Sequence, residues 1–455
     1  MGDSVHSRYS LVKSKGESAG SFNRVSERIN ERCGFAPRQL VTGVSIAVAV
    51  VITLEVQLVP CENRVLVTVL GRNGMSIRGF SYRQRHVGAP CVLFLDDARW
   101  ATFHQLSAQL RRAGVRTIRV TTLTTATAHV TSRLTFDRFF ISSPTELVDL
   151  LRRIAREENI IDVQFVETFA DVMSEVVDEL PLEVAARVRP RLVVMDKWEV
   201  AHRFRAAGVR TPDVIALADV TPDEIADRLG FPVVVKEKIG CAGNSVSVCD
   251  DFESLRAVRQ KYEEHLSDTY YERFITGEKL NYAAAVSRDG VEQDIGYRVT
   301  RWLLPVGTAT QVRTMGDDAL RDFGRRAVAV AGCQGLMNID VIRDDQGVDW
   351  MIDFNARAFG GAANFLVADL DLSQGYLRSL GIRDVGPDTR VARDDCDVDI
   401  FPTCLNESVA SGSYLIAARA FAASAAPYAK WLGVRYVLGE ALGALMSTRK
   451  SRRSR

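Results

Sequence analysis

Two neighbouring β-type segments, 336–342 and 348–354, carry oxygen-bearing polar side chains at alternate positions. The turn residues Asp344-Asp345-Gln346-Gly347 between them predict a hairpin. A turn centred between Gln346 and Gly347 would place Asp340 opposite Asp353 and Asn338 opposite Asn355. Side chains two residues apart share a face of a strand, so these four would line one face. The other face is expected to be buried and apolar, formed by Ile339, Val341, Ile352 and Phe354.

Two carboxylates directly opposite each other on a β-ladder repel, so the pair Asp340 and Asp353 requires a compensating charge. A hard divalent cation would supply that charge, with the amide oxygen of Asn355 as a third oxygen ligand. Two alternatives stay open at this point. One is a solvated polar face on an exposed hairpin, and the other is a carboxyl group with a raised pKa and no metal.

A loop of small residues, 239–245, has the composition of an anion site. Backbone N–H groups near its glycines can approach a phosphate closely, because glycine has no side chain. Lysine is scarce in this chain, with 9 lysines against 49 arginines, yet Lys197, Lys236 and Lys238 all lie upstream of this loop. No Gly-Lys-Ser/Thr opens a helix after it, so it is not a Walker-type loop. Taken alone, the loop and the three lysines are weak evidence for a phosphate site, because glycine-containing turns are common.

Segment 271–278, Tyr-Glu-Arg-Phe-Ile-Thr-Gly-Glu, is predicted to be the end of a strand followed by a turn. The backbone of an extended segment can bind the edge of an adenine ring, and a carboxylate can accept hydrogen bonds from ribose hydroxyls. Taken alone, the segment is equally a strand with exposed acids.

Strands alternate with helices over residues 90–190, which predicts a small parallel α/β layer. Its first strand leads into Asp96-Asp97-Ala98-Arg99 rather than GxGxxG, so a dinucleotide site is not supported. Residues 401–455 are predicted to form a helical C-terminal segment with a basic tail, and such a tail is typically a solvated chain end.

Residues 1–89 are interpreted as an N-terminal extension that is partly disordered, since 1–38 are polar and lack periodicity. Its apolar segment, 40–59, leaves three readings open: a membrane anchor, a strand or hairpin, and a piece absent from the mature protein, with Met75 as an alternative start. The apolar run Leu40–Leu54 is shorter than the roughly 20 residues that span a bilayer. Residues 53–59 and 64–70 alternate as β-strands do, around a predicted turn at 60–63.

Composition excludes several classes. The 455 residues are 47% hydrophobic and 25% charged, which is typical of a globular protein of about three domains. The net charge of +1 provides no general attraction to nucleic acid or anionic lipid. The eight cysteines include no CxxC pair, and no HExxH motif occurs, so a zinc site is not expected. Scattered cysteines are typical of a reduced, cytoplasmic protein.

The order lysine strand, glycine loop, helix, E-x-F-I-x-G-E and N-x-D…D-x-N-x-R resembles the nucleotide domain of the ATP-grasp superfamily. Carbamoyl-phosphate synthetase, biotin carboxylase and D-alanine–D-alanine ligase belong to that superfamily. The resemblance covers about residues 190–365. It implies a combined α/β and α+β architecture, with an ATP-grasp domain at 191–400 whose two lobes hold ATP. Segment 90–190 is similar to the Rossmann-like domain that usually precedes it.

The resemblance also implies residue roles. Lys197 and Lys236 would contact the phosphates of ATP, while the role of Lys238 is in doubt because a proline commonly follows the strand lysine. Many members have Glu where this chain has Asp353. The other implied roles are a phosphate-covering loop (Gly240, Gly243, Asn244, Ser245), an adenine hinge (Glu272, Phe274, Ile275), a ribose ligand (Glu278), Mg²⁺ or Mn²⁺ ligands (Asp340, Asp353, Asn355) and phosphoryl-transfer residues (Arg357, Lys236).

The implied reaction is ATP-dependent ligation of a small-molecule carboxylate to an amine, or to a thiol, through an acyl phosphate. No nucleic-acid partner is expected, and a homodimer stays open because relatives often dimerise. Arg298, Arg301 and Arg313 are candidates for binding an anionic substrate. The alternatives are a non-catalytic ATP-binding sensor or scaffold and a membrane-tethered ligase for an envelope precursor. A biotin-dependent carboxylase would normally bring a Met-Lys-Met segment, which this chain lacks.

Overall fold

The computed structural model describes residues 55–61, 64–70, 76–77, 88–96, 101–122, 132, 135–216, 220–240, 246–302, 309–382, 392–410 and 415. The chain divides into two compact units, 1–82 and 83–455. The apolar run Leu40–Leu54, for which a membrane anchor was one of the three open readings, and the basic tail lie outside the described residues. Within the described part of the chain, no helix combines the length and the apolarity that crossing a bilayer requires.

The first unit contains an antiparallel sheet of order β1-β2-β3, formed by β1 (Glu55–Cys61), β2 (Arg64–Leu70) and β3 (Ser76–Ile77). Glu55 pairs with Leu70, and Cys61 pairs with Arg64. The predicted hairpin is therefore confirmed. Pro60 and Cys61, which the sequence suggested for the turn, belong to the first strand instead.

The second unit begins with the predicted parallel sheet, whose strand order is β6-β5-β4-β7. Its strands are β4 (Cys91–Asp96), β5 (Arg116–Thr121), β6 (Arg138–Ile141) and β7 (Ile160–Phe165). Its helices are α1 (Ala101–Arg112), α2 (Leu147–Glu157) and α3 (Ala170–Val176). All six residues of β4 are buried, as expected of a central parallel strand covered on both faces. We call this part the α/β layer.

Two consecutive helices lead out of the α/β layer: α4 (Leu182–Met195) and α5 (Lys197–Ala206). The first was not predicted, because Pro190 inside it resembles a helix breaker. The second begins at Asp196, whose side chain accepts hydrogen bonds from the backbone N–H groups of Trp198 and Glu199. This cap fixes the point at which Lys197 enters the helix.

A small antiparallel sheet of order β10-β9-β11-β8 follows. Its strands are β8 (Val214–Ala216), β9 (Val233–Glu237), β10 (Val246–Cys249) and β11 (Thr269–Arg273). Helices α6 (Pro222–Leu229) and α7 (Phe252–Lys261) pack on it through a separate apolar cluster that includes Ile225, Val233 and Leu255. This lobe has its own core.

A six-stranded antiparallel sheet of order β16-β15-β12-β13-β14-β17 forms the second lobe. Its strands are β12 (Glu278–Ser287), β13 (Gly290–Arg301), β14 (Gln311–Met315), β15 (Gly335–Arg343), β16 (Asp349–Asn355) and β17 (Asp397–Asp399). The remaining helices of the described part are α8 (Asp318–Ala331), α9 (Leu372–Ser379) and α10 (Thr403–Ala410).

The two faces of the large sheet enter different cores. Met337 and Ile339 on one face join residues of α5 and α8 in one apolar cluster. On the other face, Ala283 and Ile295 join a cluster that also contains Leu93 and the rest of the α/β layer core. The α/β layer therefore packs directly against the large sheet.

The predicted hairpin register is confirmed where it concerns chemistry. Asn338 pairs with Asn355, and Asp340 pairs with Asp353. A β-bulge follows, so that Val341 pairs with Met351 rather than with Ile352. Met351 takes the buried position predicted for Ile352, while Ile339, Val341 and Phe354 are buried as predicted.

Candidate functional site

The paired carboxylates of Asp340 and Asp353 lie at the centre of the site, on the face of the large sheet that looks toward the α/β layer. Burial, and then the charge of Asp353, raise the pKa of Asp340 to about 6. Asn281, its partner across the ladder on β12, donates a side-chain hydrogen bond to its Oδ1. The predicted repulsion between the two acids is therefore present in the fold.

Three cations converge on Asp353. Burial alone would raise its pKa, but Lys197, Lys236 and Arg357 more than offset burial, and its pKa lies below the ordinary value. The Nζ of Lys197 contacts Asp353 Oδ1 directly. Burial would lower the pKa of Lys197, yet the contact with Asp353 holds it above the usual range. Both groups are therefore charged at neutral pH.

Lys236 reaches the same region from the small sheet. Its Nζ lies 2.6 Å from Glu272 Oε1 and 2.9 Å from the backbone oxygen of Ile352. Both side chains of the ion pair are buried, and burial raises the pKa of Glu272 despite the opposing charge of Lys236. The backbone carbonyl of Ile352, at the β-bulge, thus accepts a hydrogen bond from Lys236. The small sheet and the large sheet meet at this contact.

Arg357 follows β16 and is 7% exposed. Its Nη2 donates to Asn355 Oδ1 at 3.0 Å, and its Nε donates to Glu167 Oε1 at 2.7 Å. Glu167 comes directly after β7 in the α/β layer. The guanidinium group is therefore held between a predicted metal ligand and an acid from another part of the fold.

The other predicted nucleotide contacts lie directly after β9 of the small sheet, on the connection from β11 to β12 and at the start of β12. Lys238 precedes the glycine loop, with its Nζ 5.8 Å from the ring centroid of Trp198. Phe274 is 37% exposed, and with Ile275 it lies in the connection from β11 to β12. Glu278 begins β12 and pairs with Arg298 at 3.5 Å. Gly240 is described, whereas Gly243, Asn244 and Ser245 lie outside the described residues.

Sequence reasoning missed two residues of the site, Asn281 and Glu167. Neither belongs to a recognisable motif, and each reaches the site only because a distant strand is paired or packed there. The signal available for Asn281 was a polar residue inside an otherwise apolar strand. Glu167 offered a comparable signal as an acid at the carboxyl end of a parallel strand.

The arginines suggested for anionic substrates lie elsewhere. Arg298 pairs with Arg313 across β13 and β14, on the face opposite Tyr297, whose side chain belongs to the core shared with the α/β layer. Arg313 forms a two-bond ion pair with Asp397, and Arg301 lies 2.7 Å from Asp399. These two arginines are thus engaged in ion pairs with Asp397 and Asp399, as in a network of surface ion pairs, rather than free to bind an anionic substrate.

The side-chain oxygens of Asp340, Asp353 and Asn355 suit a hard cation that is bound together with the phosphates of a nucleotide. Within the described ranges, no group of three or more His, Cys, Asp or Glu side chains is placed to hold a metal ion. Two carboxylates and one amide oxygen would leave coordination positions open, and Mg²⁺ typically fills such positions with water and substrate phosphates. A small cavity of about 10 Å³ lies beside Asp353 where the two lobes meet, lined also by Lys197, Tyr270 and Glu272.

Residues 194–361 match the family model of the ATP-grasp domain. The D-alanine–D-alanine ligase of Nitrosomonas eutropha is 27% identical over 177 residues, which is 36% of this chain and 56% of the ligase. The chain thus spans about half the length of such curated relatives.

Solved structures agree on the fold. Carboxyaminoimidazole ribonucleotide synthase from Aspergillus clavatus, in complex with ATP, superposes with a TM-score of 0.56 at 14% identity, over 67% of this chain and 80% of that one. L-amino acid ligase from Bacillus licheniformis gives a TM-score of 0.51 at 15% identity, over 68% and 78%. The two-lobed domain is thus an ATP-grasp fold. Residues 194–361 of this chain therefore form an ATP-grasp domain.

Proposed function

We propose that this chain is an ATP-dependent ligase that joins a small-molecule carboxylate to an amine through an acyl phosphate, releasing ADP and phosphate. Ligase relatives and structural neighbours support this class of activity. A thiol in place of the amine would use the same first step. ATP and Mg²⁺ are the proposed cofactors, with Mn²⁺ as a substitute.

One observation carries the proposal: three cations lie close to a pair of facing carboxylates where the two lobes meet. Lys197, Lys236 and Arg357 all lower the pKa of Asp353, so all three lie within electrostatic range of one carboxylate. A non-catalytic nucleotide-binding protein would gain nothing from the repulsion between Asp340 and Asp353. A site that transfers a phosphoryl group would use it to bind a metal ion.

The residues would act as follows. Asp340, Asp353 and Asn355 would hold Mg²⁺, which when bound neutralises charge on the phosphates. Lys197 and Lys236 would bind phosphate oxygens, and Arg357 would stabilise the charge that develops at the transferred group. A carboxylate oxygen of the substrate would form the new bond to the γ-phosphorus while the bond to ADP breaks. The amine nitrogen would then attack the acyl carbon, lose a proton and displace phosphate.

The hinge and the loop complete the proposed nucleotide site. The backbone of Phe274 and Ile275, next to Glu272, would meet the adenine, and Glu278 would bind the ribose after giving up Arg298. Gly240, Gly243, Asn244 and Ser245 would cover the phosphates, with Lys238 as a further phosphate contact. Closure of that loop would keep water from the acyl phosphate.

The test uses the full chain with Mg·ATP, pooled carboxylates and hydroxylamine, which traps acyl phosphates as hydroxamates. We expect ADP and a hydroxamate from the wild type, and mass spectrometry then identifies the carboxylate. Asp353→Asn should reduce ADP formation about 100-fold or more, because metal-ion charge stabilisation is worth several kcal/mol. Asp345→Asn, in the exposed turn of the same hairpin, should match the wild type. Wild-type protein that binds Mg·ATP but forms no ADP would instead support the sensor or scaffold alternative.

A further inference from the structure

Strand β7 of the α/β layer carries polar side chains where a covered parallel strand is normally apolar. Asp162 and Gln164 are completely or almost completely buried. Tyr376 donates its hydroxyl hydrogen to Asp162 Oδ2 at 2.5 Å, and Arg191 Nη2 donates to the same oxygen at 3.2 Å. These contacts fix the edge strand against helices that lie outside the layer.

The same strand reaches the segment that follows the metal hairpin. Gln164 Oε1 accepts a hydrogen bond from the backbone N–H of Ala358 at 3.2 Å. Glu167, two residues beyond the end of β7, accepts the Nε–H of Arg357 at 2.7 Å. Two consecutive residues, Arg357 and Ala358, are therefore held by side chains from one element of the α/β layer.

The position of Glu167 is also informative. The chain runs from β4 through β5 to β6 on one side, and the next connection returns to place β7 on the other side of β4. The crevice at the carboxyl ends of β4 and β7 is therefore a topological switch point. Ligand sites of open α/β sheets form at such points. Glu167 stands there, 5% exposed, and contributes to the electrostatic environment of Lys197.

Stability alone does not account for Glu167. Its second carboxylate oxygen, Oε2, is buried and accepts no hydrogen bond from the described residues. A buried ion pair is often no more stabilising than apolar residues of the same volume, and a half-satisfied carboxylate is costlier still. Apart from its bond to Arg357, no hydrogen bond in the described residues offsets the cost of burying the Glu167 carboxylate.

We propose that Glu167 is a positioning residue that orients Arg357 for phosphoryl transfer, and this proposal rests on the proposed function. An arginine side chain carries about 2 kcal/mol of rotamer entropy. The bond from Nε to Glu167 fixes the plane of the guanidinium group, so that Nη2 points toward Asn355. The α/β layer thereby supplies the alignment on which electrostatic stabilisation of the transition state depends.

The experiment is a double-mutant cycle on the full chain, with ADP formation measured at saturating Mg·ATP and calorimetry of a non-hydrolysable Mg·ATP analogue. Glu167→Gln should lower kcat about tenfold to 100-fold, since small misplacements of catalytic groups cost about that much. Its affinity for the analogue should stay within about twofold of the wild type, because Arg357 is still present. The double variant Glu167→Gln/Arg357→Lys should be no slower than Arg357→Lys alone.

Glu158→Gln is the matched control. Glu158 is a buried acid of the same layer, paired with Arg116 at 2.6 Å at the opposite end of β7. This control should lower thermal stability and leave kcat unchanged. Effects of Glu167→Gln and Arg357→Lys that multiply, or a Glu167→Gln kcat that falls less than about fivefold, would overturn the positioning role. Failure of the proposed function is a separate result, since the wild type itself would then form no ADP.

Discussion

Replacing Lys236 with methionine should destabilise the protein and weaken its hold on nucleotide at the same time. The structure gives the magnitude for stability. Lys236 and Glu272 are 8% and 6% exposed, and their charged atoms lie 2.6 Å apart. Removing one partner of such a pair leaves an uncompensated buried charge, which costs about 3–5 kcal/mol. Losing the bond to the Ile352 carbonyl adds about 1 kcal/mol.

The double variant Lys236→Met/Glu272→Met separates the charge effect from packing. It leaves no uncompensated charge, so its stability should return to within about 1–2 kcal/mol of the wild type. Unfolding in urea, followed by tryptophan fluorescence, measures both free energies. A loss below about 1 kcal/mol in the single variant, or equal losses in single and double variants, would show that water reaches the pair.

The pH dependence of Lys236→Met has a definite sign. Burial raises the pKa of Glu272, and the charge of Lys236 opposes that rise. Without the lysine the pKa of Glu272 rises further, so the folded state binds a proton more tightly than the unfolded state. The destabilisation should then shrink as pH falls from neutral toward the ordinary pKa of a glutamate side chain, because the folded state of the variant takes up a proton first. A stability difference between wild type and Lys236→Met that does not change over this pH range would contradict the role given to the Glu272 charge.

Two further predictions concern the backbone and the thiols. Gly277→Ala should lower stability by about 1–3 kcal/mol or more, because a Cβ atom would lie 2.0 Å from the carbonyl oxygen of Arg343. Gly360→Ala, whose added Cβ would lie 3.9 Å from a side-chain carbon of Ile400, is the control, and equal melting temperatures would refute the argument. Brief alkylation of native protein at about pH 8 should label half-buried Cys396 before the four buried thiols of the described residues, because burial raises the pKa of Cys91 to about 12 and removes the reactive thiolate. Peptide mapping that finds labels first on Cys91, Cys249, Cys333 or Cys404 would contradict this order.

The sequence predicted those parts of the site in which neighbouring residues carry the information. Alternation and turn chemistry placed Asp340 opposite Asp353, and the structure has that pairing. The same register was wrong for the next pair, because no local sequence feature predicts the β-bulge. Val341 pairs with Met351, and Met351 rather than Ile352 is buried in the core. Alternating strands and helices likewise identified the parallel layer over residues 90–190.

The site residues that could not be predicted from the sequence are those positioned by contacts between distant segments. Glu167 meets Arg357 across 190 positions, and Asn281 meets Asp340 across 59. No pattern within a single segment encodes either contact. Helix α4 was missed because Pro190 opposed the helical pattern, whereas burial of Arg191 and its bonds to Val163 and Asp162 stabilise the helix in the folded protein.

The apolar cluster shared by the α/β layer and the large sheet has a practical consequence. A fragment limited to residues 194–361, the stretch with the family signature, would leave Ala283, Ile295 and their neighbours facing water instead of Leu93 and its layer. Uncovered apolar faces of this kind promote aggregation. Recombinant work on the site is therefore best done with the α/β layer included, beginning upstream of Cys91.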